Sequence, residues 1–110
     1  MDYAFEKSWR DTLNQASKDF GEDLDLSSIL LLIGFQESKQ DKRSFSKDEK
    51  IQLMHVAICT LLEPYGYYKF TGIDEDNWPH FERVEALPDL NADDQDRLIR
   101  KSIIEFFNNK

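Results

Sequence analysis

The chain has 110 residues, of which 40% are hydrophobic and 13% aromatic, and this composition predicts one folded domain over residues 1–110 and excludes a disordered chain. Its formal net charge of −8 excludes nucleic acids and anionic membranes as partners, because both bind through an excess of lysine and arginine. The single cysteine, Cys59, rules out an internal disulfide and predicts a cytoplasmic location, where thiols stay reduced.

The first predicted element is an amphipathic helix. Asp2 is a candidate N-cap residue, and Gly21 is a natural end point. The apolar residues between them recur at steps of three and four, which places them on one helix face. These residues are Phe5, Trp9, Leu13, Ala16 and Phe20.

The second element begins near Asp25 or Ser27 and contains the sequence ILLLIGFQES. It is apolar on nearly all sides, which predicts a helix that is buried on more than one side. A strand is the alternative, because short apolar runs are ambiguous, but abundant leucine without valine favours the helix. Gly34 costs about 1 kcal/mol in a helix interior relative to alanine. Its expected use is to let a neighbouring helix cross closely.

A third helix is predicted after a polar loop, and it is the expected centre of the core. The sequence SKDE at residues 46–49 has the form of a capping box, in which each end side chain bonds the other residue's free backbone N–H. Pro64 is expected to end the helix. Its inward face is predicted to be Ile51, Met54, His55, Ile58, Cys59 and Leu62. A neighbouring stripe enlarges the apolar surface through Leu53, Val56, Ala57 and Leu61.

Four side chains form a candidate zinc ligand set. His55, Cys59 and Glu63 lie four residues apart on one helix stripe, and His80 could join them. Structural zinc sites usually show paired cysteine or histidine motifs, and this chain has none. The favoured interpretation is therefore a packed core histidine and an inert buried cysteine, with no metal and no cofactor. A nucleophilic pair of Cys59 and His55 is disfavoured, because a reactive thiolate needs an electropositive setting.

An aromatic-rich insert, residues 64–81, separates the third helix from the fourth. YYKFTGI and HFERV favour strands and DEDN lies between them, so the insert is predicted as a loop or a short β-hairpin flap. Pro79 would confine the second strand to an edge. The acidic residues cluster in the second half of the insert and in the segment that follows it. Residues 74–96 contain nine acidic residues and one basic residue, which accounts for the net charge of −8.

The last predicted element is a helix capped by Asn91, with Asp93 and Asp94 in its first turn. Its broad apolar face is Leu98, Ile99, Ile103, Ile104, Phe106 and Phe107. The fold class is therefore all-α, a compact bundle of about four helices with the flap between helices three and four. Phe106 and Phe107 are costly to leave in water, so a homodimer through this helix is an alternative use of the face.

The candidate partner- or ligand-binding residues lie in the insert: Tyr65, Tyr67, Tyr68, Asp74, Glu75, Asp76, Trp78 and His80. Tyrosine and tryptophan beside acidic residues suit a protein-binding surface. Residues 74–76 lack the alternating pattern of a calcium loop, which favours a solvated turn. For Trp78 and the adjoining Pro79, the favoured role is to anchor the flap.

The sequence therefore predicts a non-catalytic protein-interaction module with a basic protein partner. It contains no glycine-rich phosphate loop, no serine elbow and no HExxH helix, so no catalytic residue is assigned. The alternative is a small metal- or ligand-dependent enzyme, with His55, His80 and residues 74–76 around a cleft under the flap.

Three sequence blocks, LMHVAICTLLEPYGYY, DEDNWPHF and ILLLIGFQE, resemble those of a family of small uncharacterised proteins from the Bacteroidetes group of bacteria. The resemblance covers residues 26–110. It implies a bacterial cytoplasmic protein, and it implies no activity and no site residue.

Overall fold

The computed structural model describes residues 2–21, 23–41 and 44–109. Its helices are α1 (Tyr3–Phe20), α2 (Leu26–Ser38), α3 (Lys47–Leu62) and α4 (Ala92–Asn108), with a 3₁₀ turn at Glu63–Tyr65 and strands β1 (Tyr68–Ile73) and β2 (Pro79–Arg83). The described chain is thus mostly helical, with a hairpin between α3 and α4, as the sequence predicted. In this part of the chain, no helix has the length and apolar character that crossing a membrane requires.

The chain divides into two units, each with its own internal contacts. The first combines Met1–Ile29 with Asp89–Lys110, and the second is Leu30–Pro88. The expectation of a single domain over residues 1–110 stays a prediction.

In the first unit, α1 packs along α4. The side chain of Asp2 accepts a hydrogen bond from Phe5 N–H, and Gly21 ends α1 in the left-handed conformation at φ 76°, as predicted. Trp9, Ala16 and Ile103 are buried. The two helices run in the same direction: Arg97 meets Asp2 near both N-termini, and Phe107 lies beside Asp19 near both C-termini. The predicted placement of the Phe20 side chain lies outside what the structure describes.

The start of α4 follows the prediction as well. Asn91 Oδ1 accepts a hydrogen bond from Asp94 N–H at 2.8 Å, and Asp93 and Asp94 occupy the first turn. At the other end, Phe106 and Phe107 are half-buried, and their rings meet edge to face with centroids 5.7 Å apart.

The second unit is built on a close crossing of α2 and α3. A Cβ atom placed on Gly34 would overlap the carbonyl oxygen of Leu53 and would lie 2.6 Å from its carbonyl carbon. Glycine is therefore the residue that lets the two backbones approach, which confirms the predicted use of Gly34. The capping box at the start of α3 is also present, because Ser46 and Glu49 each bond the other's backbone N–H at 3.2 and 2.9 Å.

The buried side of α3 differs from the predicted face. Ile51 is 58% exposed and His55 is also exposed, so the expected core histidine is a surface residue. The buried residues of the helix are Leu53, Val56, Ala57, Cys59, Leu61 and Leu62. Both stripes are apolar, and the crossing at Gly34 decides between them by bringing Leu53 against α2. A core cluster then forms from Leu53, Val56 and Trp78, with Leu31, Phe35, Phe45 and Phe81 packed against it.

The insert is an antiparallel hairpin, as one of the two sequence alternatives proposed. Phe70 pairs with Phe81 and Ile73 with Pro79, and a β-bulge falls between Phe70 and Gly72. The sheet has two strands, so Pro79 lies on an edge strand, where its missing N–H costs no ladder hydrogen bond.

Candidate functional site

Asp74 organises the turn of the hairpin. Its Oδ1 atom accepts hydrogen bonds from the backbone N–H groups of Asp76 and Trp78 at 2.8 and 3.0 Å. Its Oδ2 atom lies 2.8 Å from Nε2 of His80. The hydrogen bond with His80, followed by those from the backbone, lowers the pKa of Asp74. Asp74 therefore holds the turn together, while the side chains of Glu75 and Asp76 are exposed.

The turn is also tied to the loop after α2. Gln40 Nε2 donates to the carbonyl oxygens of Asp76 and Asn77 at 3.1 and 3.2 Å. Asn77 adopts φ 67°, a left-handed conformation that asparagine tolerates better than most residues. Trp78 follows, and its side chain, 8% exposed, packs with Leu53 and Val56. Trp78 anchors the hairpin to α3 and does not contribute its ring to the surface.

The three tyrosines of the candidate set are half-buried. Tyr65 lies in the 3₁₀ turn, and Tyr67 accepts a hydrogen bond from Val84 N–H at 3.0 Å through its backbone carbonyl. The rings of Tyr68 and His55 meet edge to face with centroids 6.4 Å apart. The ring of Tyr68 therefore packs on α3 at His55, and all three tyrosine side chains are partly exposed.

The four candidate metal ligands do not converge. His55 Nε2 lies 3.5 Å from Cys59 Sγ, whereas Glu63 accepts a hydrogen bond from Phe70 N–H and His80 pairs with Asp74. Across residues 2–21, 23–41 and 44–109, no group of three or more His, Cys, Asp or Glu side chains is placed to hold a metal ion.

Cys59 is buried, as the sequence predicted. The residue is 0% exposed, and burial raises the pKa of the thiol to about 11. A pKa of about 11 favours the protonated thiol at neutral pH, which disfavours a role as nucleophile or thiolate ligand.

A cleft of about 250 Å³ opens between the hairpin and the ends of α2 and α3. We call it the hairpin cleft, and it is lined by Glu37, Lys39, Thr60, Glu63, Phe70, Ile73, Pro79 and Phe81. The enzyme alternative predicted a cleft under the flap. However, the residues assigned to that cleft, His55, His80 and residues 74–76, are not among those that line it.

The hairpin cleft exposes two large apolar side chains. Phe70 is 45% exposed and Ile73 is 53% exposed, and the ring of Phe70 meets that of Phe81 edge to face at 5.7 Å. In a regular strand, residues three apart point to opposite faces. The bulge between Phe70 and Gly72 changes the phase, so Ile73 lies opposite Pro79 and joins Phe70 on the face of Phe81.

Sequence reasoning assigned neither Phe70 nor Ile73 to the site. Regular alternation along YYKFTGI would place Phe70 and Ile73 on opposite faces of the strand. In the sequence, Gly72 is the one residue that indicates a bulge.

The cleft lies in an acidic part of the chain. Residues 63–85 contain six acidic and two basic residues, and all six acidic side chains are exposed: Glu63, Asp74, Glu75, Asp76, Glu82 and Glu85. The acidic residues from Asp89 to Asp96 belong to the first unit and begin α4.

A second cleft, of about 360 Å³, lies between α1 and α4 in the first unit. Two of its carboxylates already have partners, because Asp11 pairs with Lys7 at 2.9 Å and Asp19 accepts from Gln15 at 3.0 Å. Phe107 lines this cleft.

Comparison of the chain with protein-family models, curated proteins and solved structures found no match. The resemblance to a Bacteroidetes family therefore stays a prediction.

Proposed function

We propose that this chain is a non-catalytic protein-interaction module that binds its partner at the hairpin cleft. The observation that carries the proposal is the exposure of Phe70 and Ile73, 45% and 53%, at the mouth of a cleft built on an anchored hairpin. Leaving apolar surface in water costs about 25 cal/mol per Å². A partner that covers these two side chains would recover that free energy.

The charge of the chain segment that builds most of the cleft supports a basic partner. Residues 63–85 carry six acidic and two basic side chains, for a net charge of −4. Charge complementarity of this kind speeds and orients the encounter of two proteins. We therefore propose a partner segment that combines an apolar side chain with lysine or arginine.

The other candidate residues fit around this centre. Tyr65, Tyr67 and Tyr68 are half-buried and form part of the proposed rim, and Glu75 and Asp76 supply exposed charge. Asp74 and His80 shape the turn, and Trp78 holds the hairpin on α3. Apolar centres with polar rims are the common arrangement of protein interfaces.

Further proposals follow from the sequence. We propose that the four helices form one bundle in a single acidic domain, and that the single cysteine reflects a reducing cytoplasm.

Pairing of two copies through α4 is the other proposed association, supported by the incomplete burial of Phe106 and Phe107. The metal- or ligand-dependent enzyme stays the alternative, and no contact in the hairpin cleft favours it.

Selection from a phage-displayed library of random dodecapeptides tests the proposal. We expect enriched peptides to contain lysine or arginine next to an apolar residue. One enriched peptide, labelled with a fluorophore, would then be titrated with the protein while its anisotropy is followed.

The matched variants are Ile73→Ser and Ile51→Ser. The two isoleucines have similar exposure, 53% and 58%, but only Ile73 lines the cleft. We expect Ile73→Ser to raise the Kd about tenfold and Ile51→Ser to leave it within about twofold. Absence of any enriched peptide, or an equal effect of both substitutions, would refute the proposal.

A further inference from the structure

We infer that the hairpin cleft receives a single arginine side chain from the partner, with the aliphatic part against the apolar wall that the hairpin forms and the guanidinium at the carboxylates of Glu37 and Glu63. This inference rests on the proposed function, and it identifies the chemical group that the cleft recognises. Three features of the cleft support it: its size, its apolar hairpin wall and the two carboxylates among its lining residues.

The size of the cleft favours a side chain over a cofactor. Its volume is about 250 Å³. Sites for drug-sized ligands and cofactors usually enclose about 300–1,000 Å³. A long side chain that enters from a partner surface fits this smaller space, because the rest of the partner stays outside.

The wall of the cleft that the hairpin forms is apolar and partly aromatic. Phe70, Ile73, Pro79 and Phe81 come from the hairpin. The methylene groups of an arginine pack well on such a surface while its charged end reaches beyond it. A guanidinium also stacks on aromatic rings, which a compact ammonium does less well.

Two carboxylates at the cleft supply the acceptors. Glu63 Oε2 accepts a hydrogen bond from Phe70 N–H at 2.7 Å, which fixes the position of this carboxylate. A carboxylate offers about four lone-pair sites over its two oxygens, so Oε1 stays available as an acceptor. Glu37, half-buried near the end of α2, lines the same cleft.

Lys39 is the one positive group that lines the cleft among the described residues. Its side chain is exposed, and a long exposed lysine moves its ammonium into water at little cost. Two carboxylates against one ammonium leave the cleft with a net negative charge. Removing the charge of Lys39 should therefore strengthen the binding of a cation.

The experiment titrates ¹⁵N-labelled protein with n-butylguanidinium chloride and follows the backbone amide signals by NMR. The control ligand is n-butylurea, which has a similar shape and no charge. We expect saturable shifts at Thr60, Phe70 and Ile73 with n-butylguanidinium, and at least about fivefold weaker binding of n-butylurea. The signals of Asp11 and Asp19 in the other cleft serve as the reference for unspecific ion pairing.

Glu63→Gln is the decisive variant, because it removes the charge but keeps an oxygen that can accept from Phe70 N–H. We expect it to raise the Kd of n-butylguanidinium about two- to fivefold, whereas Lys39→Gln lowers the Kd. Glu85→Gln, a substitution of an exposed acidic residue that does not line the cleft, should raise the Kd by less than Glu63→Gln does. Equal binding of n-butylurea, or equal effects of Glu63→Gln and Glu85→Gln, would overturn the inference.

The outcomes separate this inference from the proposed function. If peptides are selected but n-butylguanidinium leaves the cleft signals unchanged, the module binds a partner by another group and the arginine inference is wrong. If n-butylguanidinium binds in the cleft but no peptide is selected, the proposed function is wrong and the preference of the cleft for the cation is retained.

Discussion

Asp74 makes one side-chain hydrogen bond and two backbone hydrogen bonds at the turn of the hairpin. His80 lies 2.8 Å from one of its oxygens, and the N–H groups of Asp76 and Trp78 bind the other. Because Trp78 enters the core directly after this turn, the geometry set by Asp74 also directs the anchor of the hairpin.

Acid should therefore loosen this turn. The pKa of Asp74 is lowered in the folded chain, so the carboxylate contributes stability above its unfolded pKa, about 3.9, and that contribution is lost as the pH falls through the folded pKa. We expect Asp74→Asn to flatten the dependence of the urea unfolding midpoint on pH below about 4. A variant with the same pH dependence as the unaltered protein would contradict this role.

Trp78→Ala should be strongly destabilising. Removing a large buried aromatic side chain typically costs about 3–5 kcal/mol, and Trp78 is 8% exposed in the core cluster. The free energy of unfolding in guanidinium chloride measures this cost. Ile51→Ala is the control, because at 58% exposure it should change stability by less than about 0.5 kcal/mol. An unchanged unfolding free energy for Trp78→Ala would mean that the ring does not anchor the hairpin.

At the scale of elements, α2 and α3 can approach each other closely because residue 34 is a glycine and has no side chain. At Gly34 the space that a Cβ atom would need is occupied by the backbone of Leu53 and not by a flexible side chain. Close packing of this kind transmits a change in volume directly to the two helix backbones.

Gly34→Ala should therefore destabilise the second unit, although alanine is the better helix former. The gain in helix propensity is about 1 kcal/mol, whereas forcing a methyl group into a packed site costs about 1–3 kcal/mol and more where backbone must move. Thermal unfolding of Gly34→Ala and of Gln36→Ala, at an exposed position of α2, makes the comparison. A raised melting temperature for Gly34→Ala would show that the helices separate without cost.

Features that depend on neighbouring residues in the sequence could be predicted, whereas features that depend on contacts between elements could not. The helix caps were predicted correctly, because a cap bonds backbone groups within one turn of its own helix. The four capping residues are Asp2, Gly21, Ser46 and Asn91. The buried face of α3 was predicted wrongly for Ile51 and His55, because several stripes of this helix are apolar and only its neighbours select one. The hairpin cleft was missed for a similar reason, since a bulge places Ile73 beside Phe70.

At the scale of the whole molecule, the ionisation and reactivity of the single thiol depend on whether the chain is folded. Cys59 is buried in α3, and burial raises the pKa of its thiol to about 11. An unfolded chain exposes the same thiol with a pKa near 8.5. The folded chain therefore binds the proton more tightly than the unfolded chain, and alkaline pH favours unfolding.

We expect the unfolding free energy to fall as the pH rises from about 9 to about 11, and part of that fall to disappear in Cys59→Ala. Because lysine and tyrosine also titrate in this range, the difference between the two proteins is the informative quantity. In the unaltered protein, iodoacetamide at pH 8.5 should react only as fast as the chain opens. Rapid alkylation under native conditions, or parallel pH profiles for the two proteins, would contradict this account.

The bulge between Phe70 and Gly72 also determines which changes in length the hairpin tolerates. It holds one surplus residue, so a chain that lacks Thr71 would pair regularly and still turn Phe70 and Ile73 to the same side. Deletion of the residue between Pro79 and Phe81 would instead turn these two side chains to opposite faces of the hairpin. A deletion at Thr71 should therefore be accepted in related chains, whereas a deletion in the second strand should be avoided. A Thr71-deletion variant that no longer binds n-butylguanidinium would argue against this asymmetry.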